Sequence, residues 1–329
     1  MRASIARCEP RQDAFGFTLR NVLHLRVVVP EELREPVLHV LRAHDGVTNT
    51  SVFPGAVVDP PGDQITADIA RECANDIVRD LKRLDVQHRG AITLGALDTV
   101  LSSRAHRVEE AAVGDPADAL VWDELIGRTR SDAALTWTFV MFLTIACLLA
   151  AIGVVNDSAV TVVGAMVVGP EFGPLAALAV ALYQRRGVLA RQALTTLLVG
   201  FPVAMVVTAG ATWAAAAAHW ISLADVTSVH QVDFIYQVGR ASFAVALLAG
   251  AAGMLSLLSS QSAALVGVFI SVTTVPAAGF AVVAAVLGDW PVALGSAAQL
   301  AVNLVGIVTA GVLVLWARSW GGRLRRARG

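Results

Sequence analysis

Charged residues are scarce in this chain of 329 residues, of which only 16% are Asp, Glu, Lys or Arg. An average soluble domain carries about 25% charged residues, so this chain has too few to cover a surface that is exposed to water throughout. Hydrophobic residues make up 56% of the chain, and the mean hydropathy is +0.64. This composition excludes an entirely soluble globular enzyme, and it also excludes a disordered, collagen-like or disulfide-rich chain.

Sequence signals for catalysis and for metal binding are also missing. The three cysteines, Cys8, Cys73 and Cys147, lie far apart and form no CxxC pair, which excludes a disulfide framework. The N-terminal part contains no P-loop, GxGxxG or GxSxG motif, and its five histidines show no metal-ligand spacing. The apolar part contains no HExxH, Ser/Lys or Asp/Asp arrangement. We therefore predict that the protein is not an enzyme and uses no cofactor or metal.

The charged residues that are present lie mainly towards the two ends of the chain. Residues 1–132 hold 21 acidic and 16 basic residues, residues 133–317 hold five and four, and residues 318–329 hold five Arg and no acid. This distribution predicts a soluble domain followed by a multi-pass membrane domain. Because the first twelve residues contain no apolar run, we expect no cleavable signal peptide and a cytoplasmic N-terminal domain. The predicted divisions are a polar segment at 1–20, a soluble domain at 21–98, a linker at 99–132, a transmembrane domain at 133–317 and a basic tail at 318–329.

The soluble domain shows four strand patterns and two helical patterns. Alternating apolar residues predict strands at 22–29, 48–53, 64–70 and 91–97. Apolar stripes that include Leu33 and Ala74 predict two helices, and a loop rich in Pro and Gly is predicted at 54–62. The resulting order, βαββαβ, is that of an α+β ferredoxin-like domain. This fold carries many unrelated functions, so it predicts no activity.

The end of the linker predicts one more helix. Asp118 is a suitable N-cap for a helix in which Trp122, Leu125 and Ile126 cluster. Two interpretations stay open: an amphipathic helix that lies on the cytoplasmic face of the membrane, and a linker helix packed on the soluble domain.

Six apolar segments follow, and most exceed the roughly 20 residues that cross a bilayer. They lie at about 134–154, 158–183, 192–218, 241–258, 262–287 and 292–316. Arginines cluster before the first segment, between the second and third, and after the sixth. Six crossings place all three clusters on the cytoplasmic side, as the positive-inside rule requires. We therefore predict a multi-pass protein of the plasma membrane with both termini in the cytoplasm and the lipid bilayer as a partner.

The two halves of the apolar region resemble each other. A shift of 103 residues aligns Asn156 with Ser259 and overlays the second apolar segment on the fifth. Each half has three segments, so the two halves have opposite orientations and form an inverted 3+3 repeat. Proline interrupts both aligned segments, at 169–174 and at 273–276, which predicts two broken helices. Paired breaks of this kind are typical of a binding site near the middle of the membrane.

Glu171 is the one ionisable side chain well inside an apolar segment, where a charge costs roughly 2.5–3.5 kcal/mol. Two compatible interpretations stay open: a proton or cation site, and a cap for the half-helix whose first turn holds Pro174.

Further polar residues lie in the other half of the repeat. The hydroxyl groups near the second break either coordinate a ligand or bond the preceding turn of their own helix, and the latter is the commoner behaviour. For Asn303, hydrogen bonding between helices is the favoured interpretation. The candidate substrate- or ion-binding residues are Gly169, Pro170, Glu171, Gly173, Pro174, Ser271, Thr273, Thr274, Pro276 and Asn303.

Three stretches of the apolar region carry a family resemblance: GVVNDSAVTVVGAMVVGPEFGPLAALAVAL, LLAGAAGMLSLLSSQSAALVGVFISVTTVPAAG and QLAVNLVGI. Over about residues 130–310 the chain resembles the prokaryotic hydrophobic membrane proteins known as domain of unknown function 389. The resemblance implies an integral membrane protein. The family pattern has an apolar residue where Glu171 stands and Pro-Pro where Pro276-Ala277 stands. Arg240 matches the usual arginine before its fourth span.

Two classes of function remain open. The first is a transporter or channel for a small solute or ion, with its site between the two breaks, and an inverted repeat favours this class. The second is a sensor or scaffold in which the soluble domain binds a small ligand or a partner and the apolar region is an anchor. A homo-oligomer is left open, and no nucleic acid is expected as a partner.

Overall fold

The computed structural model describes residues 22–97, 122–221, 240–258 and 264–326. The chain divides into two compact units, Met1–Val121 and Trp122–Gly329. The boundary between the units falls inside the predicted linker.

The first unit is built on a four-stranded sheet. Its elements are β1 (Val22–Val29), a 3-10 turn (Glu31–Leu33), α1 (Arg34–Arg42), β2 (Val47–Val58), β3 (Pro61–Ala70), α2 (Ala74–Arg83), α3 (Val86–Arg89) and β4 (Ala91–Ala96). The strand order is β2-β3-β1-β4, and every neighbouring pair is antiparallel. Strands and helices follow one another in the predicted order, with the one-turn helix α3 added before β4.

The alternation of side chains along β1 builds the core of this unit. Leu25 and Val27 are fully buried, whereas Arg26 between them is exposed on the opposite face. Helices α1 and α2 cover the apolar face with buried residues such as Leu41 and Ile77. One face of the sheet is therefore packed and the other is polar.

The prediction of a loop at 54–62 is wrong, because β2 continues to Val58 and β3 begins at Pro61. A register shift between Phe53 and Val57 absorbs the irregular residues. Gly55 adopts a φ of 61°, and its N–H donates to Asp63 Oδ1 at 2.7 Å. Pro and Gly therefore mark a bulged hairpin here.

Asp63 holds this hairpin to α1. Arg34 Nε donates to Asp63 Oδ2 at 2.5 Å. This hydrogen bond, together with that from Gly55, holds the pKa of the Asp63 carboxyl below its ordinary value.

The second unit is helical throughout its described part. Its helices are α4 (Trp122–Asp132), α5 (Trp137–Val155), α6 (Ala159–Val168), α7 (Phe172–Tyr183), α8 (Gly187–Ala217), α9 (Arg240–Leu258), α10 (Ala264–Leu287) and α11 (Trp290–Arg326).

Three of these helices, α5, α8 and α11, are long and apolar enough to cross a membrane. Helices α6 and α7 form a pair bent by 55°, which makes a fourth candidate if the pair is one span. The described apolar parts of α9 and α10, Ser242–Leu258 and Thr274–Leu287, are shorter. Three or four candidate spans are therefore present, and six crossings stay a prediction.

Contacts made by α4 and by the residue after it place the two ends of α7. Tyr183 at the end of α7 stacks on Trp122 with ring centroids 5.4 Å apart, and its hydroxyl donates to Ser319 Oγ at 2.6 Å. Thr196 in α8 donates to the carbonyl of Ala133, just before α5, at 2.7 Å. Asp132, directly before Ala133, lies beside Gly173 in the first turn of α7. The start of α5 is therefore close to the break, whereas Tyr183 lies at the other end of α7.

The same contacts gather the arginine clusters at one end of the unit. Gln192, beside Arg191, donates to the carbonyl of Arg130 at 3.4 Å. Arg185 follows Tyr183 by two residues, and Arg318 precedes Ser319. At the opposite end, the last turn of α5 and the first of α6 pack with the end of α10 and the start of α11. Asp157 and Asp289 lie in the turns there.

The predicted break in the fifth apolar segment is wrong, because α10 continues through Pro276. A proline removes one backbone donor and strains one turn, and neighbouring helices can hold the rest of an apolar helix in place. Residues 274–284 are all buried, so packing supports α10 on every side of the proline. Helix α8 likewise continues through Pro202.

Helix α4 belongs to the second unit and packs against α7. A Cβ atom at Gly173, in the first turn of α7, would lie 2.8 Å from Asp132 Cβ at the end of α4. Since Trp122 meets Tyr183 at the other end, the two helices run antiparallel side by side. The predicted position of this helix on the membrane face stays a prediction.

Candidate functional site

The break between α6 and α7 creates the candidate site. Helix α6 ends at Val168 and α7 begins at Phe172, so Gly169, Pro170 and Glu171 lie between them. Pro174 is the third residue of α7, where the backbone N–H has no partner within the helix and its loss costs nothing. Two prolines and two glycines within six residues thus bend the chain, as predicted. The pair α6–α7 provides about 15 Å of helix before the break and about 18 Å after it.

Glu171 is buried at this break and bonds to α10. Its side chain is 1% exposed, and Thr274, its partner, is fully buried. Thr274 Oγ1 donates to Glu171 Oε1 at 2.5 Å. The structure therefore brings together one candidate residue from each half of the predicted repeat.

The capping interpretation of Glu171 is wrong. The residue occupies the N-cap position of α7, but its side chain makes no hydrogen bond to the amides of that helix. Its backbone is helical (φ −68°, ψ −19°), whereas a capping residue needs extended geometry to turn its side chain back onto the helix end. The carboxyl group instead accepts the hydrogen bond from Thr274 of α10.

The hydroxyl of Thr274 also departs from the commoner behaviour. Thr144 and Thr208 each donate to the carbonyl four residues earlier in their own helix. Thr274 donates across helices to a carboxyl group instead. This bond is neither of the two predicted alternatives, a bound ligand or a bond to the preceding turn.

One apolar cluster surrounds these groups. It includes residues that neighbour Glu171, Thr274 and Asn303 in sequence: Val168, Phe172, Leu175, Val275, Ala278, Leu300 and Leu304. Helices α5 and α10 approach closely beside it, since a Cβ at Gly279 would lie 2.8 Å from Ala150 Cβ. Glu171, Thr274 and Asn303 therefore all lie next to this apolar cluster in sequence.

Asn303 is fully buried on α11, and its Oδ1 accepts from Gln299 Nε2 at 3.0 Å, one turn earlier on the same helix. The predicted bond to another helix stays a prediction. Ser296, which is fully buried on the same face, was missed in the sequence. Its spacing from Gln299 and Asn303, at i, i+3 and i+7, is the signal that could have found it.

The remaining candidates are placed only by their backbone. Ser271 and Thr273 lie in α10, and Arg240 begins α9. Their side chains fall outside the described part of the structure. Pro276 is buried within α10, two residues after Thr274. Within the described ranges, no group of three or more His, Cys, Asp and Glu side chains could hold a metal ion.

The second unit thus has three, or with the bent pair four, helical segments of the length and apolar character that cross a membrane, as in α-helical membrane proteins. Residues 166–309 match the family model described as a domain of unknown function (DUF389). This match confirms the resemblance over that range, which runs from the last turn of α6 into α11 and contains the break, Thr274 and Asn303. No curated protein and no solved structure matches the chain.

Proposed function

We propose that the protein is a transporter or channel for a small solute or ion, with its site at the break between α6 and α7 and the facing part of α10. The observation that carries this proposal is the hydrogen bond between Glu171 and Thr274 inside an apolar layer. A buried acid is costly at membrane depth and commonly marks an ion or proton path. Interrupted helices supply the free backbone groups that bind solutes there.

The inverted repeat is part of this proposal, and the position of the pair supports it. Glu171 and Thr274 are 103 residues apart, which is the shift that aligns the two halves of the sequence. In a repeat related by a two-fold axis, corresponding residues can touch each other only close to that axis. Contact between these two residues therefore supports an inverted repeat with its axis near the break.

Helix packing within the two halves also supports the repeat. In the first half, a Cβ at Gly200 in α8 would lie 3.3 Å from Leu143 of α5. In the second half, a Cβ at Gly306 in α11 would lie 2.9 Å from Ala246 of α9. Leu143 and Ala246 are again 103 residues apart, while Gly200, whose nearest neighbour is Phe139 at 2.6 Å, and Gly306 are 106 apart. The first and third helices of each half thus cross closely at comparable positions.

The proposed orientation places the arginine-rich end of the unit in the cytoplasm of the cell, with the N-terminal unit as a ferredoxin-like cytoplasmic domain. Arg130, Arg185, Arg191 and Arg318 mark that end, and the turns at the other end carry Asp157 and Asp289. The positive-inside rule assigns the arginine-rich end to the cytoplasm. The strand order β2-β3-β1-β4 supports the ferredoxin-like assignment.

The chemistry proposed for Glu171 is reversible binding of a proton or another cation. As a carboxylate it accepts the hydroxyl of Thr274, which stabilises the charge inside the apolar cluster. When it takes up a proton or cation, that charge is neutralised and the hydrogen bond weakens. Loading of Glu171 would thereby loosen the contact between the break and α10.

Ion and proton flux into proteoliposomes tests this proposal. Glu171→Gln and Thr274→Val should insert and fold, and both should lose most of the flux that the wild type shows under a pH or cation gradient. Thr144→Val is the matched control, since Thr144 bonds only the preceding turn in α5, and it should keep wild-type flux. Wild-type flux in Glu171→Gln, or no flux in the wild type, would contradict the proposal.

A second candidate function, a membrane-anchored sensor, is favoured by the packing of α4 on α7. The chain reaches α4 directly after the N-terminal unit, and the end of α4 contacts the first turn of α7 beside Glu171. A ligand of the N-terminal unit could act on the break through this helix. Ligand-dependent protection of Gly173 from hydrogen exchange, in a protein without flux, would favour the sensor.

A further inference from the structure

A buried polar stripe runs along one face of α11. Ser296, Gln299 and Asn303 follow the spacing i, i+3 and i+7, which places them on the same side of a helix. Their exposures are 0%, 3% and 0%. Helix α11 is otherwise one of the apolar helices long enough to span a membrane, so a buried polar face on it needs an explanation.

Two oxygen atoms in this stripe lack a donor. Within the described residues, Ser296 Oγ and Gln299 Oε1 are buried and meet no hydrogen-bond partner. Thr309 on the same helix shows the ordinary alternative, since its hydroxyl donates to the carbonyl of Val305 at 2.7 Å. Buried polar atoms without a partner are rare in folded proteins, and a bound ion or water is one explanation for them.

The amide groups of the stripe are already oriented. Gln299 Nε2 donates to Asn303 Oδ1 at 3.0 Å, so the NH2 group of Gln299 is used within the stripe. Its carbonyl oxygen therefore remains available as an acceptor, one turn from the hydroxyl of Ser296. Two oxygens on successive turns of one helix face form the beginning of an oxygen-lined site.

We propose that this stripe binds a monovalent cation through neutral oxygens. Divalent cations in proteins rely on carboxylates, and the stripe contains none. Neutral carbonyl and hydroxyl oxygens replace the hydration shell of monovalent cations in channels and transporters. A neutral oxygen-lined site can release such an ion readily, which suits a site that is filled and emptied repeatedly.

The position of the stripe connects it with Glu171. Ser296 lies two turns from the start of α11, near the end of the unit that carries Asp157 and Asp289. Leu300, between Gln299 and Asn303, contacts both the cluster at that end and the cluster around Glu171. The stripe thus leads from the acidic end towards the break. Its place on a transport path rests on the proposed function, whereas cation binding itself does not.

Melting of the purified full chain in detergent tests the proposal without any transport. NaCl, KCl and choline chloride are compared at equal ionic strength. A cation that binds only the folded state raises the melting temperature steadily with the logarithm of its concentration. We expect such a rise with sodium or potassium and none with choline.

Ser296→Ala and Gln299→Met should each abolish this rise. In choline chloride Ser296→Ala should melt at or above the wild-type temperature, because it removes an oxygen that has no donor. Gln299→Met should melt lower, because it also removes the donor of Asn303 Oδ1, so its response is judged by the change between salts and not by its absolute melting temperature. Thr309→Val, on the same helix, is the matched control and should keep the rise. No sodium- or potassium-specific rise in the wild type, or a full rise in both variants, would overturn the proposal.

Glu171→Gln separates this inference from the proposed function. The variant should keep the cation-dependent rise, since the stripe supplies the ligands. A rise without flux in the wild type would reject the proposed transport and keep the cation site. Flux without a rise would reject the cation site alone.

Discussion

Replacing Thr274 by Val tests the hydrogen bond at the break most directly. Valine has nearly the shape of threonine but lacks the hydroxyl that donates to Glu171 Oε1 at 2.5 Å. Both side chains are at most 1% exposed, so water cannot readily take the place of the lost donor. Leaving a buried acceptor without its partner costs about 1–3 kcal/mol. The free energy of unfolding in mixed micelles should fall by this amount.

A double-mutant cycle shows whether the loss belongs to the pair. Glu171→Leu together with Thr274→Val removes both partners, which should be less costly than Thr274→Val alone. We expect a coupling free energy of about 1–2 kcal/mol between the two positions. Thr208→Val is the control, because Thr208 is buried in α8 and donates only to its own helix. If the free-energy changes of the two single substitutions sum to that of the double substitution within about 0.5 kcal/mol, the two residues are not coupled and the reasoning is refuted.

Three further predictions concern packing, pH and topology. Gly173→Ala should lower the free energy of unfolding by about 1–3 kcal/mol, because the new methyl group overlaps the end of α4. Gly210→Ala is the control: a Cβ at that position has no atom within 4 Å, so this variant should not be destabilised. In a fragment of residues 15–100, the lowered pKa of Asp63 adds stability that is fully present above the unfolded pKa of about 4 and is lost as the pH falls through the folded value. Asp63→Asn should therefore remove part of the acid dependence of thermal melting, and an unchanged dependence would contradict the assignment. In a background without native cysteines, a cysteine at Gln184 should react with an impermeant reagent only from the cytoplasm and one at Asp289 only from outside, and outside labelling at Gln184 would overturn the topology.

The sequence was sufficient to find the break and the acid within it. Two prolines and two glycines around Glu171 act on the chain locally, so their effect does not depend on what packs nearby. Pro276 is a single proline, and its outcome depends on packing that the sequence does not display. Buried neighbours on every side of residues 274–284 keep α10 continuous there.

The partner of Glu171 was harder to predict than its position. Thr274 was one of several hydroxyl groups in its segment, and only the packing of α10 against the break selects it. The cap was one of two open interpretations because Glu171 precedes a half-helix, but the helical backbone at that residue does not turn the side chain back onto the helix end. The hairpin at 54–62 was misjudged for a related reason. Gly55 and Pro54 fit a loop and a bulge equally well, and the hydrogen bond to Asp63 that decides between them joins residues of different strands.

The most direct test of the central claim is the access of water to Thr274. Thr274→Cys is made in a chain whose three native cysteines are replaced, and its reaction with a small impermeant thiol reagent is followed in proteoliposomes. Val275→Cys, equally buried but facing the apolar cluster, is the control. Both residues are buried in this conformation. If the break and α10 form a transport site, that site opens to water during transport, and the cysteine at position 274 then reacts much faster than the one at position 275. Equal and negligible reaction at both positions would show a sealed core and contradict the account.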